Sequence, residues 1–188
     1  SNSIELSDTY TQFSNSTLPN LDFSAFDIII VDDLKDAAQV NKLYDIALHK
    51  PVIMTVEAQN AAYAITALQR HALSATNIAT RTNLIVAQKL IRVLCPVCRG
   101  IEFSPIPQEA CSVCGGTGYI DNEAVFEMLI GNTLQRSLTA SIRNLRDIFT
   151  EAKSKGYVSI WTKANERVRD GIASFEDVLL NVQKMPWD

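Results

Sequence analysis

No Gly-Lys pair occurs anywhere in the 188 residues of this chain, and so no G-x-x-x-x-G-K-[ST] loop. Without that loop and its lysine there is no evident cradle for the β- and γ-phosphates of a nucleotide. Cysteine is absent except at four positions, Cys95, Cys98, Cys111 and Cys114. Histidine occurs only as His49 and His71, both read as surface or boundary residues. No Ser/His/Asp or Cys/His arrangement suggests nucleophilic catalysis. Positive charge is not in excess: the formal net charge is −4 and the isoelectric point about 5.2, which argues against a nucleic-acid partner. No apolar run approaches the roughly 18 residues of a membrane span. The opening residues are polar, unlike a secretory leader, so neither export nor direct membrane insertion is expected.

The chain does have a hydrophobic content of 47%, enough to build a core, and a length that suits one domain or one domain with an appendage. Its cysteines form a single array, C-x2-C, twelve residues, C-x2-C. Two such knuckles can set four thiolates tetrahedrally around one zinc ion. Two disulfides or four free thiols are the competing readings, and the isolated quartet at this spacing favours zinc. Pro105 and Pro107 lie between the knuckles, and Gly115, Gly116 and Gly118 follow the last cysteine, as suits tight reversals. With all four positions filled by thiolates no place remains for a catalytic water, so the zinc is structural. This usage of cysteine, with no leader, points to the cytoplasm.

Along the chain, residues 1–26 are polar, with one short strand at most. Ile28-Ile29-Ile30-Val31 is a short β-branched run without polar alternation, which predicts a central strand buried on both faces. Val40, Leu43, Tyr44 and Ala47 follow at helical spacing, Pro51–Val56 reads as a second strand, and Ala61, Ile65, Leu68 and Ala72 form an Ala-rich helical stripe. This order predicts an α/β layer with parallel strands over 27–94. A third helix is predicted over 77–94, with Leu84, Ala87, Ile91 and Leu94 facing the core. The knuckles take 95–120, and 121–188 is read as a helical region. There Leu145, Ile148, Phe149 and Ala152 form one stripe ended by Gly156, and Trp161, Ala164 and Val168 another ended by Gly171. Ser174-Phe175-Glu176-Asp177 resembles a capping box opening a last helix.

Asp32 and Asp33 close the first strand. In parallel α/β sheets ligands bind beyond the carboxyl ends of the strands, and an apolar strand ending in acids is the Walker B pattern, which helps hold Mg²⁺ or orient the attacking water. The alternative is that the pair only caps the next helix, whose positive end favours carboxylates. Lys89, Arg92 and Arg99 are read as part of a solvated face.

From about Asp27 to Val182 the chain resembles the C-terminal half of the traffic ATPases of type II secretion and type IV pilus assembly. The family's G-E-I-R-D corresponds to Asp32-Asp33-Leu34-Lys35-Asp36, and its histidine box to Thr55–Ala62. Its Q-R-L-V-R-x-L-C-P-x-C is similar to Gln88–Cys98. Its C-x-x-C-x-G-x-G-Y and G-R-x-x-I-x-E resemble Cys111–Tyr119 and Asp121–Glu127. The tail spacing recurs at Ala152, Gly156, Ala164, Val168, Gly171, Glu176 and Val178. The resemblance implies a partial RecA-like P-loop NTPase core, a four-cysteine zinc element and a C-terminal α-helical bundle. It also implies a ring-shaped, usually hexameric homo-oligomer, cytoplasmic and peripheral to the inner membrane, docked on platform proteins of a secretion or pilus system. Walker A would lie upstream of residue 1, so Mg-ATP at Asp32 and Asp33 is expected only in a longer protein. Asp33 stands at the Walker B acid position where the family has glutamate. Ala58 replaces the histidine of the box, and Asp121-Asn122 the Gly-Arg pair. The resemblance therefore implies either a motor with degenerate catalytic motifs or a non-hydrolysing assembly paralogue. Cys111–Gly118 also fits the C-x-x-C-x-G-x-G repeat of J-protein chaperones, but that repeat needs several copies and only one is complete here.

Overall fold

The fold was analysed on a computed structural model that describes residues 22–32, 36–100, 111–131, 145–186 and 188. The chain divides into two compact units, Ser1–Val56 and Glu57–Asp188.

In the first unit β-branched residues make β1, Ile29–Val31, and β2, Val52–Met54 lies parallel to it with Ile30 opposite Ile53. Ile29 N–H donates to the Pro51 carbonyl at 3.1 Å and Thr55 N–H to that of Val31 at 3.0 Å, extending the ladder at both ends. Helix α1, Ala37–Ile46, connects the strands. Asp36 starts it by accepting from Ala38 N–H, and Val40, Leu43 and Tyr44 are buried as their spacing predicts. The Lys50 ammonium closes the preceding turn, donating to the carbonyls of Phe23, Ser24 and Phe26 at 2.8, 2.8 and 2.6 Å. One expectation is corrected. Ile29 and Val31 are buried, but Ile28, Ile30 and Ile53 are 57%, 65% and 56% exposed. Alternation puts these three on one face, so among the described residues β1–β2 is covered on one side only.

In the second unit, α2, Ala61–Arg70, packs its Ala-rich stripe inward, and Asn60 caps it through Tyr63 N–H at 3.0 Å. Helix α3, Ala75–Arg81, follows behind Ser74. The predicted helix over 77–94 holds only as far as Arg81: residues Leu84–Leu94 are strand β3, paired antiparallel with β4, Tyr119–Ile130, over eleven residue pairs. The helical reading of 121–130 fails. Ala87 and Ile91 fit either period, so helical spacing alone could not decide. The β-branched Ile85, Val86, Ile91 and Val93 favour a pleated surface, and the long-range partner decides.

The helical tail is as expected from 145 onward, with α4, Leu145–Ser154, α5, Ile160–Arg169, and α6, Phe175–Asn181. Gly156 and Gly171, which follow α4 and α5, take left-handed φ angles of 90° and 70°. Ile91 and Val125 of the ribbon form one core with Ile160 and Ala164 of α5, Val178 of α6, and Ala173 and Val182 flanking α6. The ribbon's other face presents Leu84, Val86, Leu90, Phe126, Met128 and Ile130, all between 39% and 58% exposed. Among the described residues no helix is long and apolar enough to cross a membrane.

Candidate metal centre

The ribbon is the stem of the cysteine loop. Cys95 directly follows the last residue of β3, and Gly118 directly precedes the first of β4. Cys95 N–H donates to the Gly118 carbonyl at 2.9 Å and closes the loop's neck. Just below, the register slips: Val93 faces Asp121 but Leu94 faces Tyr119, leaving Ile120 as an extra residue on β4. Such a bulge bends the strand and changes the direction of the chain beside it. Leu94 N–H, on the ribbon's outer edge, donates to the Ile172 carbonyl at 2.7 Å and fixes the neck to the loop before α6.

The two knuckles are built alike. After Cys98, Arg99 and Gly100 have φ of 47° and 78°, and after Cys114, Gly115 and Gly116 have 59° and 86°. In both, the chain turns through two left-handed residues directly after the second cysteine. Glycine takes up that conformation without penalty, whereas Arg99 bears the crowding of its Cβ.

The result is convergence. The four sulfurs all lie within 4.8 Å of one another, with Cys95 and Cys111 Sγ 3.8 Å apart and Cys98 and Cys114 Sγ 3.5 Å apart. Tetrahedral Zn–S bonds of about 2.3 Å set sulfurs about 3.8 Å apart, so the cluster fits such an ion. No pair is joined as a disulfide. Cys95, Cys98 and Cys111 are buried, and Cys114 is half-buried. Burial pushes the Cys98 thiol up to about 12. Burial also opposes the Cys114 thiolate, but the Gly118 N–H, 3.3 Å from its sulfur, and the neighbouring thiols outweigh it and bring that group down to about 6. The sequence-predicted quartet could therefore hold a metal ion, and all four donors come from the protein.

The predicted nucleotide residues are less fully placed. Asp32 is exposed at the carboxyl end of β1 and accepts from Thr55 Oγ1 at 2.9 Å. Asp33 lies outside the described residues. Arg92 is not simply solvated: its Nε donates to Asp177 Oδ1 at 2.6 Å, and its guanidinium lies 3.9 Å from the centroid of the Tyr119 ring. His49 is exposed and His71 half-buried at the end of α2, as expected of both.

Two buried carboxylates organise this unit: Glu127, whose helix-capping role the sequence did not suggest, and Asp177, read only as part of a capping box. Glu127, 2% exposed, accepts from Ala61 N–H at 2.6 Å through one oxygen and from Ile160 N–H at 2.8 Å through the other. Those are the first amides of α2 and α5, so one side chain on β4 serves two helix N-termini, where orphan donors and the positive dipole end both favour a carboxylate. Tyr157 has its hydroxyl pushed far up, first by burial and then by the charge and hydrogen bond of Glu127. Asp177, fully buried, accepts from Arg92 N–H at 2.8 Å as well as from Nε. The predicted capping box at 174–177 is thus half right: Ser174 caps Asp177 N–H at 3.1 Å, but the Asp177 carboxylate goes to β3. The missed signal for Glu127 was an acid between Val125 and Leu129 on the inward side of an alternating strand.

Comparison with known proteins settles the lineage. Residues 25–180 match the family described as type II/IV secretion system protein. The chain belongs to that family. It is 26% identical over 174 residues to the type IV pilus assembly ATPase PilB of Thermus thermophilus, covering 81% of this chain and 20% of that protein. It is 25% identical over 155 residues to the type II secretion system protein HxcR of Pseudomonas aeruginosa, covering 81% of this chain and 33% of the relative. The fold is similar to that of the ATPase DotB of Yersinia pseudotuberculosis, with a TM-score of 0.57 at 17% identity over 83% of this chain and 37% of that one. The chain thus spans between about a fifth and two fifths of the length of these proteins.

Proposed function

We propose that this chain is the C-terminal part of a cytoplasmic traffic ATPase that drives type II secretion or type IV pilus assembly, and that its cysteine centre holds a structural zinc. The observation that carries the reading is the family match over residues 25–180, which spans both the strand ending at Asp32 and the cysteine quartet. The likeness to DotB supports a partial RecA-like core. Zinc, bound by Cys95, Cys98, Cys111 and Cys114, would supply no reactive position. It would fix the two knuckles at the tip of the β3–β4 stem. The family reading brings with it a homo-oligomeric ring, a hexamer in the form usual for such motors, docked to inner-membrane platform proteins and peripheral to that membrane. Mg-ATP belongs to a longer protein with an upstream P-loop, with Asp33 as the Walker B acid and Asp32 beside it.

A second reading is favoured by Asp33 and Ala58, which stand where the family carries glutamate and histidine. It is a paralogue that keeps the fold and its contacts but does not hydrolyse ATP. Steady-state phosphate release by the longest natural protein separates the two. Losing one preorganised catalytic contact costs about 10²–10³-fold in rate. The double reversion Asp33→Glu with Ala58→His is therefore expected to raise turnover by at least about tenfold, a cautious fraction of that range. An unchanged rate with the fold intact by circular dichroism removes these two substitutions as the cause of slow hydrolysis.

A further inference from the structure

The cysteine centre is not equally protected on all sides. Cys95, Cys98 and Cys111 are 0%, 0% and 3% exposed, whereas Cys114 is only half-buried. Among the described residues, a Cβ added at the next residue, Gly115, would meet nothing within 4 Å. Cys98 Sγ of the other knuckle lies 3.5 Å from Cys114 Sγ, a shorter separation than the 3.8 Å between Cys95 and Cys111 Sγ. An accessible cysteine sulfur with a second one poised against it is the arrangement through which thiols are oxidised reversibly.

We propose that Cys114 is a hydroperoxide-reactive site and that Cys98 resolves it, so that oxidation joins the two knuckles through a Cys98–Cys114 disulfide and ejects the metal. This deepens the zinc reading and rests on it for the metal-release part. The Cys114 thiolate attacks one oxygen of a hydroperoxide; the O–O bond breaks, an S–O bond forms, and the departing hydroxide or alkoxide takes a proton from water. The Cys98 sulfur then attacks the Cys114 sulfur; the S–S bond forms, the S–O bond breaks, and the hydroxyl leaves as water with the proton of the Cys98 thiol, or as hydroxide where a metal had displaced that proton. The two sulfurs have lost two electrons to one peroxide. Closing 3.5 Å to an S–S bond of about 2.05 Å asks for movement at the glycine-flanked side of the second knuckle rather than at the strand ends. Cys95 and Cys111 remain reduced, and two thiolates do not make the closed four-ligand shell of a structural site.

The test uses the full chain, first shown by elemental analysis to carry one zinc. It is treated with about one equivalent of hydrogen peroxide, zinc release is followed with a chromogenic chelator, and disulfides are mapped by mass spectrometry without reduction. Trypsin cuts after Arg99 and so separates the knuckles, which makes a cross-knuckle bond a link between two peptides. The expected result is release of the bound zinc together with a Cys98–Cys114 link, while Cys95 and Cys111 still alkylate. In Cys98→Ser a sulfenic-acid trap such as dimedone should label Cys114. A disulfide within either knuckle, a trap adduct on Cys95 or Cys111 first, or four intact thiols after about tenfold excess peroxide overturns the proposal. A chain that carries no zinc sinks the zinc reading separately, since the same disulfide map on the metal-free protein still decides the pairing.

Discussion

In the β1–β2 pair a carboxylate at one strand end, Asp32, holds the chain just past the other strand through Thr55 Oγ1, at 2.9 Å and in contact with solvent. In the β3–β4 ribbon a carboxylate from a helix, Asp177, holds β3 through the amide and Nε of Arg92, at 2.8 and 2.6 Å and with the acid fully buried. The bonds have similar lengths, but their worth differs. A buried acceptor that loses its donors is left with its desolvation cost uncompensated, whereas an exposed one turns to water. The ladders differ in the same sense, three pairs against eleven. The ribbon is therefore the unit in which single side chains matter, and the parallel pair the one in which they matter little.

The largest effect should come at the ribbon's tip. Where zinc binds the folded chain and not the unfolded one, at a concentration about a thousandfold above its dissociation constant, it stabilises by about 4 kcal/mol. A strong chelator, or Cys95→Ser, is expected to lower the unfolding free energy by about that much. Hydrogen exchange should quicken most at the neck, at Cys95 N–H, which donates to Gly118. Equal denaturation midpoints with and without chelator would mean that the ribbon alone orders the knuckles.

Next comes Glu127. Replacing it with alanine strands the first amides of α2 and α5 in a buried place, and hydrogen bonds to a charged group are worth about 1.5–3 kcal/mol each. Glu127→Ala should cost about 3 kcal/mol or more in urea denaturation, and Glu127→Gln about 1–2 kcal/mol, because the amide keeps only one acceptor oxygen. If glutamine and alanine cost the same, the carboxylate does not serve both helices.

These residues also mark where reading the sequence succeeds and where it stops. The cysteine quartet was legible because a metal site of this kind is written in local spacing, and the structure brings the four sulfurs within 4.8 Å. Helices α1, α2 and α4 to α6 were legible because one apolar stripe and a local cap suffice to define each. The ribbon was not, because nothing local distinguishes Ala87 and Ile91 as helix from the same residues as strand. Its evidence is Glu127 and Phe126, lying opposite Ala87 and Gln88 about forty positions away. Asp177 was read as a cap for the same reason: Ser174 is three residues off, Arg92 is 85.

Asp177 supplies a test of asymmetry inside one ion pair. Its side chain is 0% exposed while that of Arg92 is 48% exposed. Asp177→Asn keeps an oxygen for the amide but loses the charge held against Nε, and should cost about 1–2 kcal/mol. Arg92→Ala leaves the amide bond in place and removes a half-solvated partner, so it should cost about 1 kcal/mol or less. A larger loss from the arginine would place the weight of the contact on its stacking over Tyr119 rather than on Asp177.

The smallest effect is expected in the parallel pair, at Thr55. Thr55→Val removes the hydroxyl that meets Asp32 while keeping a β-branched side chain of the same shape, so strand preference and packing change little. The Asp32 carboxylate is exposed, so water can replace the hydroxyl, and neither residue depends on this bond alone. A net hydrogen bond is worth about 0.5–1.5 kcal/mol when water is excluded, and this one is open to it, so the expected loss is about 0.5 kcal/mol or less. Urea denaturation of Thr55→Val beside Asp177→Asn measures the two sheets on one scale. A loss in Thr55→Val as large as in Asp177→Asn would show that Asp32 is held in a shielded setting despite its exposure, and the contrast drawn from burial would fail. A near-zero change, with the Asp177 variant clearly weakened, ties the value of each strand-end carboxylate to its access to water.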